Sequence, residues 1–251
     1  MRREKTRRLA TTLACSVLFA AWALPLQARP VHAITDEETR ENLVLVVGAA
    51  LSEVEISQTA DALGVPDDSN IVIHKVTGED IAKYINVQNV QDSQMISSVL
   101  VEFRDEGGIE THIATPDRIT SVKSYQYSNA AITAGIYDSK ITVAAVEPVT
   151  GESALTGIYK AAEVYGMELD QERLIAGNDE LETVQDIEEN NEDNEAFDSE
   201  KFSQALTEIK VQIANQVDNS SRTEVNIGDI TTTIQNVLNQ YNINLSETDV
   251  N

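Results

Sequence analysis

Glu41–Ala50 reads ENLVLVVGAA, and the fold class turns on this stretch. Leu43 to Val47 is an unbroken apolar run rich in valine, closed by Gly48. A strand with one wet face alternates apolar and polar residues. A run without alternation belongs to a strand covered on both faces, inside a sheet sandwiched by helices.

The neighbouring segments fit that setting. Ser52–Leu63 has helical character and stops at Gly64, a natural helix end. Asn70–Val76 (NIVIHKV) alternates like a strand, and Glu79–Ile85 reads as a short helix opened by Thr77 and Gly78. Met95–Phe103 (MISSVLVEF) and Ile109–Ala114 (IETHIA) flank Arg104–Gly108, which reads as a β-hairpin. Thr120–Ala134 is helical up to Gly135, and Lys140–Glu147 (KITVAAVE) is a second buried strand. Ser153–Tyr165 is a helix closed by Gly166, and Asp170–Glu189 carries another. The order β-α-β-α-β-β-α-β-α-α predicts a mixed, layered α/β domain. Its sheet would contain the hairpin and be covered by helices.

The ends of the chain differ from its middle. Arg2, Arg3, Lys5, Arg7 and Arg8 precede an uncharged, mostly apolar run from Leu9 to Leu26, and Val31-His32-Ala33 follows. Basic flank, apolar run and small-residue site are the three parts of a cleavable signal peptide, expected over residues 1–33. Pro25 and Pro30 break the run, so no stable membrane anchor is expected after cleavage. Residues 34–187 are then the α/β domain. Residues 188–200 form an acidic linker, the end of a stretch (178–200) with eleven Asp or Glu and no Lys or Arg. Residues 201–251 form a helical tail. There Phe202, Leu206, Ile209 and Ile213 make one apolar stripe, and Ile230, Ile234, Val237 and Tyr241 another. Such stripes serve a helical hairpin packing on itself or on the domain. They also suit self-association or docking of a protein partner.

Cleavage sharpens the composition. The chain has 18 Lys+Arg against 42 Asp+Glu. Residues 1–33 hold six of the former (Arg29 included) and one of the latter, Glu4, so the remainder is 12 − 41 = −29. That charge repels nucleic acid and anionic surfaces, and makes cations and basic proteins the natural counterparts. The only cysteine, Cys15, leaves with the signal segment, so the fold rests on its core rather than on disulfides.

Catalytic inventory is thin. Only His74 and His112 remain, both in expected strands, and no G-x-S-x-G elbow accompanies them. Two isolated histidines without cysteine do not make a zinc site. Calcium is the one metal that the composition leaves open, through Asp67-Asp68-Ser69-Asn70 or the acidic linker. Neither follows the D-x-D-x-D-G pattern, so no cofactor is expected. The two distinctive segments are SNAAITAGI (128–136) and VTGESALTGI (149–158). They supply the candidate ligand-binding residues Asn129, Thr133, Thr150, Gly151, Ser153 and Thr156. Amides at the start of the second helix could hold an anion, whereas Thr150 or Ser153 as an N-cap and Gly135 as a C-cap explain the same residues structurally.

VVGAAL, a helix ending in LGV, ISSVLVEF, AAITAGI and SALTGIYKAAE occur here in that order. Together they resemble the exported bacterial proteins of domain of unknown function 1002 (YpuA-like), from about Leu43 to Asn178. This chain has Thr150-Gly151-Glu152 where that family typically has Ser-Gly-Thr. The resemblance implies an extracytoplasmic protein of a Gram-positive-type bacterium, secreted or associated with the cell envelope. It implies no activity and carries over no catalytic residue. The expected function is non-enzymatic binding of a protein or cation. The alternative is an envelope hydrolase using carboxylate or Ser/Thr groups near AAITAGI and VTGESALTG.

Overall fold

The structure, a computed structural model, describes residues 42–66, 71–192, 194, 197–219 and 227–245. All of them lie in one compact unit, Asp36–Asn251. The expected signal segment and the Asp67–Asn70 turn fall outside the described residues.

Among the described residues five strands form one mixed sheet: β1 (Leu43–Gly48), β2 (Ile73–Val76), β3 (Ser98–Phe103), β4 (Ile109–Ile113) and β5 (Ser139–Ala144). Among the described residues seven helices accompany it: α1 (Glu53–Leu63), α2 (Gly78–Ile85), α3 (Ser124–Thr133), α4 (Glu152–Tyr165), α5 (Gln171–Asn190), α6 (Ser199–Asn219) and α7 (Ile227–Gln240). A 3-10 turn occupies Asp92–Gln94. The layered α/β class expected from the sequence is the class observed.

The strand order is β2-β1-β3-β5-β4. β1 and β2 run parallel, β3 is antiparallel to both β1 and β5, and β4 runs parallel to β5. Alternate β1 residues serve opposite faces. Val44 and Val46 face a core shared with α2, α3, α4 and α5, whereas Leu45 and Val47 face α1. This two-sided burial is what the unbroken apolar run demanded.

The expected hairpin is corrected. β3 and β4 are not neighbours, because β5 lies between them. The reason is burial. β5 is covered on both faces apart from Lys140 and takes a central position, whereas β4 alternates half-buried and exposed residues, as an edge strand does. Asp138 builds the junction: its carboxylate accepts from the Gly108 amide at 2.8 Å and its carbonyl from the Arg104 amide at 2.8 Å. The chain turns where Gly107 and Gly108 predict, but the turn leaves room for a third strand.

Helix α1 starts at Ser52, whose side chain and that of Glu55 form a reciprocal capping box, and ends at Gly64. Helix α2 starts the same way with Thr77 and Asp80. Helix α3 is shorter than expected. Residues before it bond along the strand side instead, with Ile119 bridging Val149 and the Val122 amide donating to the Thr150 carbonyl at 3.1 Å.

A second apolar core lies beside the sheet. Val184 and Ile187 of α5 pack with Phe202, Ala205 and Ile209 of α6 and with Val237, Leu238 and Ile243. Tyr125 of α3 joins them. Helix α5 therefore serves both cores, with Leu174 and Leu181 in the first and Val184 and Ile187 in the second. The expected linker, 188–200, begins in the last turn of α5 and ends in the first turn of α6.

Candidate functional site

The second singled-out segment opens α4, and Tyr127, the residue just before the first, closes on it. Gly151 is the N-cap of α4, with φ 105° and no side-chain cap. Neither Thr150 nor Ser153 takes the N-cap role expected for it. The Tyr127 phenol donates to the Gly151 carbonyl at 2.7 Å and is fully buried, so α3 clamps the start of α4. A Cβ on residue 151 would sit 2.5 Å from the Tyr127 hydroxyl and 2.8 Å from Ile119 Cγ2. Only glycine meets both the backbone angle and the space. Burial, with a contribution from the Glu152 charge, pushes the Tyr127 phenol well above its ordinary pKa.

The other candidates are distributed around this clamp. Thr150 is exposed, and its carbonyl receives the Val122 amide. The Ser153 hydroxyl shares a hydrogen bond with that of Ser97 at 2.6 Å, and Thr156 is buried at 2% exposure. Glu152 occupies the first turn of α4. Its charge sits where an anionic ligand would gain from the helix dipole.

Asn129 and Thr133 lie on the other side of α3 and meet residues from far along the chain. The Thr133 hydroxyl donates to Glu180 Oε2 at 2.6 Å and accepts from Lys210 Nζ at 3.1 Å. Lys210 Nζ also donates to the Asn129 carbonyl at 3.2 Å and lies 2.6 Å from Glu180 Oε1. Glu180 and Lys210 side chains are 16% and 33% exposed, so the pair is largely withdrawn from water. Two turns further along α5, Glu188 repeats the arrangement with groups of α3 and its N-cap: it pairs with Lys123 at 2.8 Å and accepts from Tyr125 and from Gln126. The helices come close because residue 177 is glycine; a Cβ there would lie 2.6 Å from both the Ala130 carbonyl and the Tyr159 hydroxyl. Burial pushes the Tyr159 phenol up, and the nearby Glu180 carboxylate adds to it.

A smaller ionic cluster joins α2 to α4. Lys160 Nζ reaches both Asp80 oxygens, at 2.7 and 2.8 Å, while Glu163 accepts from Lys83 and Tyr84. These hydrogen bonds, that of Lys83 first, hold the Glu163 carboxyl below the ordinary carboxylate range.

Chemically, the Thr133 hydroxyl is held between a carboxylate that accepts its proton and an ammonium that donates to its oxygen. Glu180 and Lys210 carry the interaction, and neither is in the distinctive segments. The one sequence signal for Lys210 is its position next to Ile209 on the apolar stripe. Among the described residues, no three His, Cys, Asp or Glu side chains gather into a set able to hold a metal ion, and no helix is long and apolar enough to cross a membrane.

The outer face of α5 is strongly acidic. Glu172, Asp179, Glu182, Asp186 and Glu189 are all exposed. At 3.6 residues per turn they fall within about 100° of the helix circumference. The only basic residue of α5, Arg173, turns back to the Ile132 and Thr133 carbonyls.

Fold and site together define a layered α/β protein with a helical annex, held by helix-capping and ionic contacts between helices. The chain belongs to the protein-of-unknown-function family DUF1002, whose profile matches residues 47–251. This is the family expected from AAITAGI and SALTGIYKAAE. The chain is similar to the uncharacterized protein YpuA of Bacillus subtilis (strain 168), with 29% identity over 196 residues, covering 75% of this chain and 63% of that protein. It therefore spans less than two thirds of that relative's length. No solved structure matches it.

Proposed function

We propose that this chain is an exported, non-enzymatic protein, secreted or envelope-associated, that recognises a basic protein partner through the outer face of α5. One observation carries the reading: five exposed carboxylates line that face with no competing cation along it. The net charge of −24 over the whole chain has the same sign and adds long-range attraction for a cationic partner. Most of the apolar stripe residues of α6 and α7 pack into the second core, which favours the acidic face over the tail helices as the partner surface. Export is supported by the basic-then-apolar N-terminus and Val31-His32-Ala33. The non-enzymatic role is supported by the placement of the two histidines, His74 on β2 and His112 on β4, at opposite edges of the sheet rather than together in one site.

Isothermal titration of the full chain with octalysine and with octaglutamate tests this reading. Saturable binding of octalysine alone is expected. Equal binding of both peptides, or of neither, would overturn it.

A further inference from the structure

Lys210 ends in a site built by other elements. An alkylammonium has three N–H donors and no acceptor. Here it meets three oxygens of different kinds: the Glu180 carboxylate at 2.6 Å, the Thr133 hydroxyl at 3.1 Å and the Asn129 carbonyl at 3.2 Å. Because the Thr133 proton is directed to Glu180 Oε2, its lone pairs are free for the ammonium. The receiving residues sit on α3 and α5, and the lysine comes from α6, whose apolar side belongs to the second core. The fit is also incomplete: Glu180 Oε1 is buried and, although 2.6 Å from Lys210 Nζ, makes no hydrogen bond among the described residues.

We propose that Asn129, Thr133 and Glu180 form a primary-ammonium site, filled internally by Lys210, and that lysine side chains of a basic protein partner compete for it and loosen α6 from α3. The inference rests on the reading of α5 as the partner-binding face. Asp179 and Glu182 are exposed on the same helix as Glu180 and raise the local concentration of the partner's cations there. The chemistry selects lysine. A guanidinium is planar and presents a fork of five donors, which suits a bidentate carboxylate rather than three converging oxygens. Calcium takes six to eight oxygen ligands, about twice what this site offers.

The test is hydrogen exchange of α6 amides in the full chain, read with and without octalysine, with octaarginine for comparison and β1 amides as the fold control. Octalysine is expected to speed α6 exchange by about threefold or more and to leave β1 unchanged, with octaarginine weaker. Lys210→Met removes the internal competitor and is expected to bind octalysine about tenfold more tightly. Glu180→Gln is expected to lose that gain. Should Lys210→Met not fold, Lys210→Arg keeps the charge and is expected to show faster α6 exchange than the native chain. Unchanged α6 exchange with octalysine, and no gain in affinity from either Lys210 variant, would overturn the proposal. If all variants bind octalysine alike and only neutralising the five α5 residues weakens it, the partner face stands and the ammonium site is refuted. If octalysine does not bind the native chain, the partner face itself fails.

Discussion

The Tyr127 phenol donates to the Gly151 carbonyl at 2.7 Å, and this bond ties α3 to the N-cap of α4. The φ of 105° at Gly151 and the 2.5 Å separation that a Cβ would have from the Tyr127 hydroxyl make the position intolerant. Gly151→Ala is expected to cost about 2–4 kcal/mol, from a strained backbone and an overpacked contact. Tyr127→Phe, which only removes the bond, is expected to cost about 1–2 kcal/mol. Urea unfolding measures both, and a smaller loss for the glycine substitution than for the tyrosine would contradict the clamp.

Lys210 and Glu180 are predicted to be energetically coupled. Removing either charge leaves the other partly buried, so each of Lys210→Met and Glu180→Gln should destabilise the chain by about 1–3 kcal/mol. Their effects should fall short of additive in a double-mutant cycle. Additive losses would show that the 2.6 Å contact contributes nothing as a pair.

Glu163 gives an acid-side prediction. Its carboxyl sits below its ordinary value of 4.5, because Lys83 and then Tyr84 hydrogen-bond the charged form. A depressed folded-state pKa stabilises the chain at pH above 4.5, and that stabilisation fades as pH falls through the folded value. Glu163→Gln should therefore be less stable than the native chain at neutral pH, with the gap closing below pH 4.5. A gap that stays constant down to about pH 3 would contradict this.

Four tyrosines give the alkaline counterpart. Burial pushes the phenols of Tyr84, Tyr125, Tyr127 and Tyr159 well above 10. The unfolded chain ionises them first, so stability should decline as pH rises above 10. Ultraviolet titration should show these phenolates appearing together with unfolding. Smooth ionisation of all seven tyrosines before any loss of secondary structure would refute it.

The sequence made one half of this architecture readable and hid the other. Leu43–Val47 announced a two-sided strand because burial on both faces leaves a local mark. The pairing of β3 with β5 left none. Gly107 and Gly108 signal a reversal of the chain but not which strand comes to lie beside it. The alternation of Ile109–Ile113 against the near-continuous burial of Ser139–Ala144 was the available clue to edge and centre. The candidate site divides the same way. Asn129 and Thr133 stood out in a distinctive segment, but their partners Glu180 and Lys210 lie 47 and 77 residues beyond Thr133. Contacts between helices at that separation follow from packing, and a single charged residue among 42 acids does not declare its partner. The exposed stripe on α5 needed the helix to be placed before its outer face could be told from Glu180 and Glu188 on the inner one.

The most direct test of the account is the affinity for octalysine of the full chain in which Glu172, Asp179, Glu182, Asp186 and Glu189 are changed to Gln or Asn. The native chain should bind with an affinity that falls steeply as salt is raised, and the neutralised chain should bind at least about tenfold more weakly with little salt dependence. Equal affinity and equal salt dependence in the two chains would contradict recognition through this face of α5.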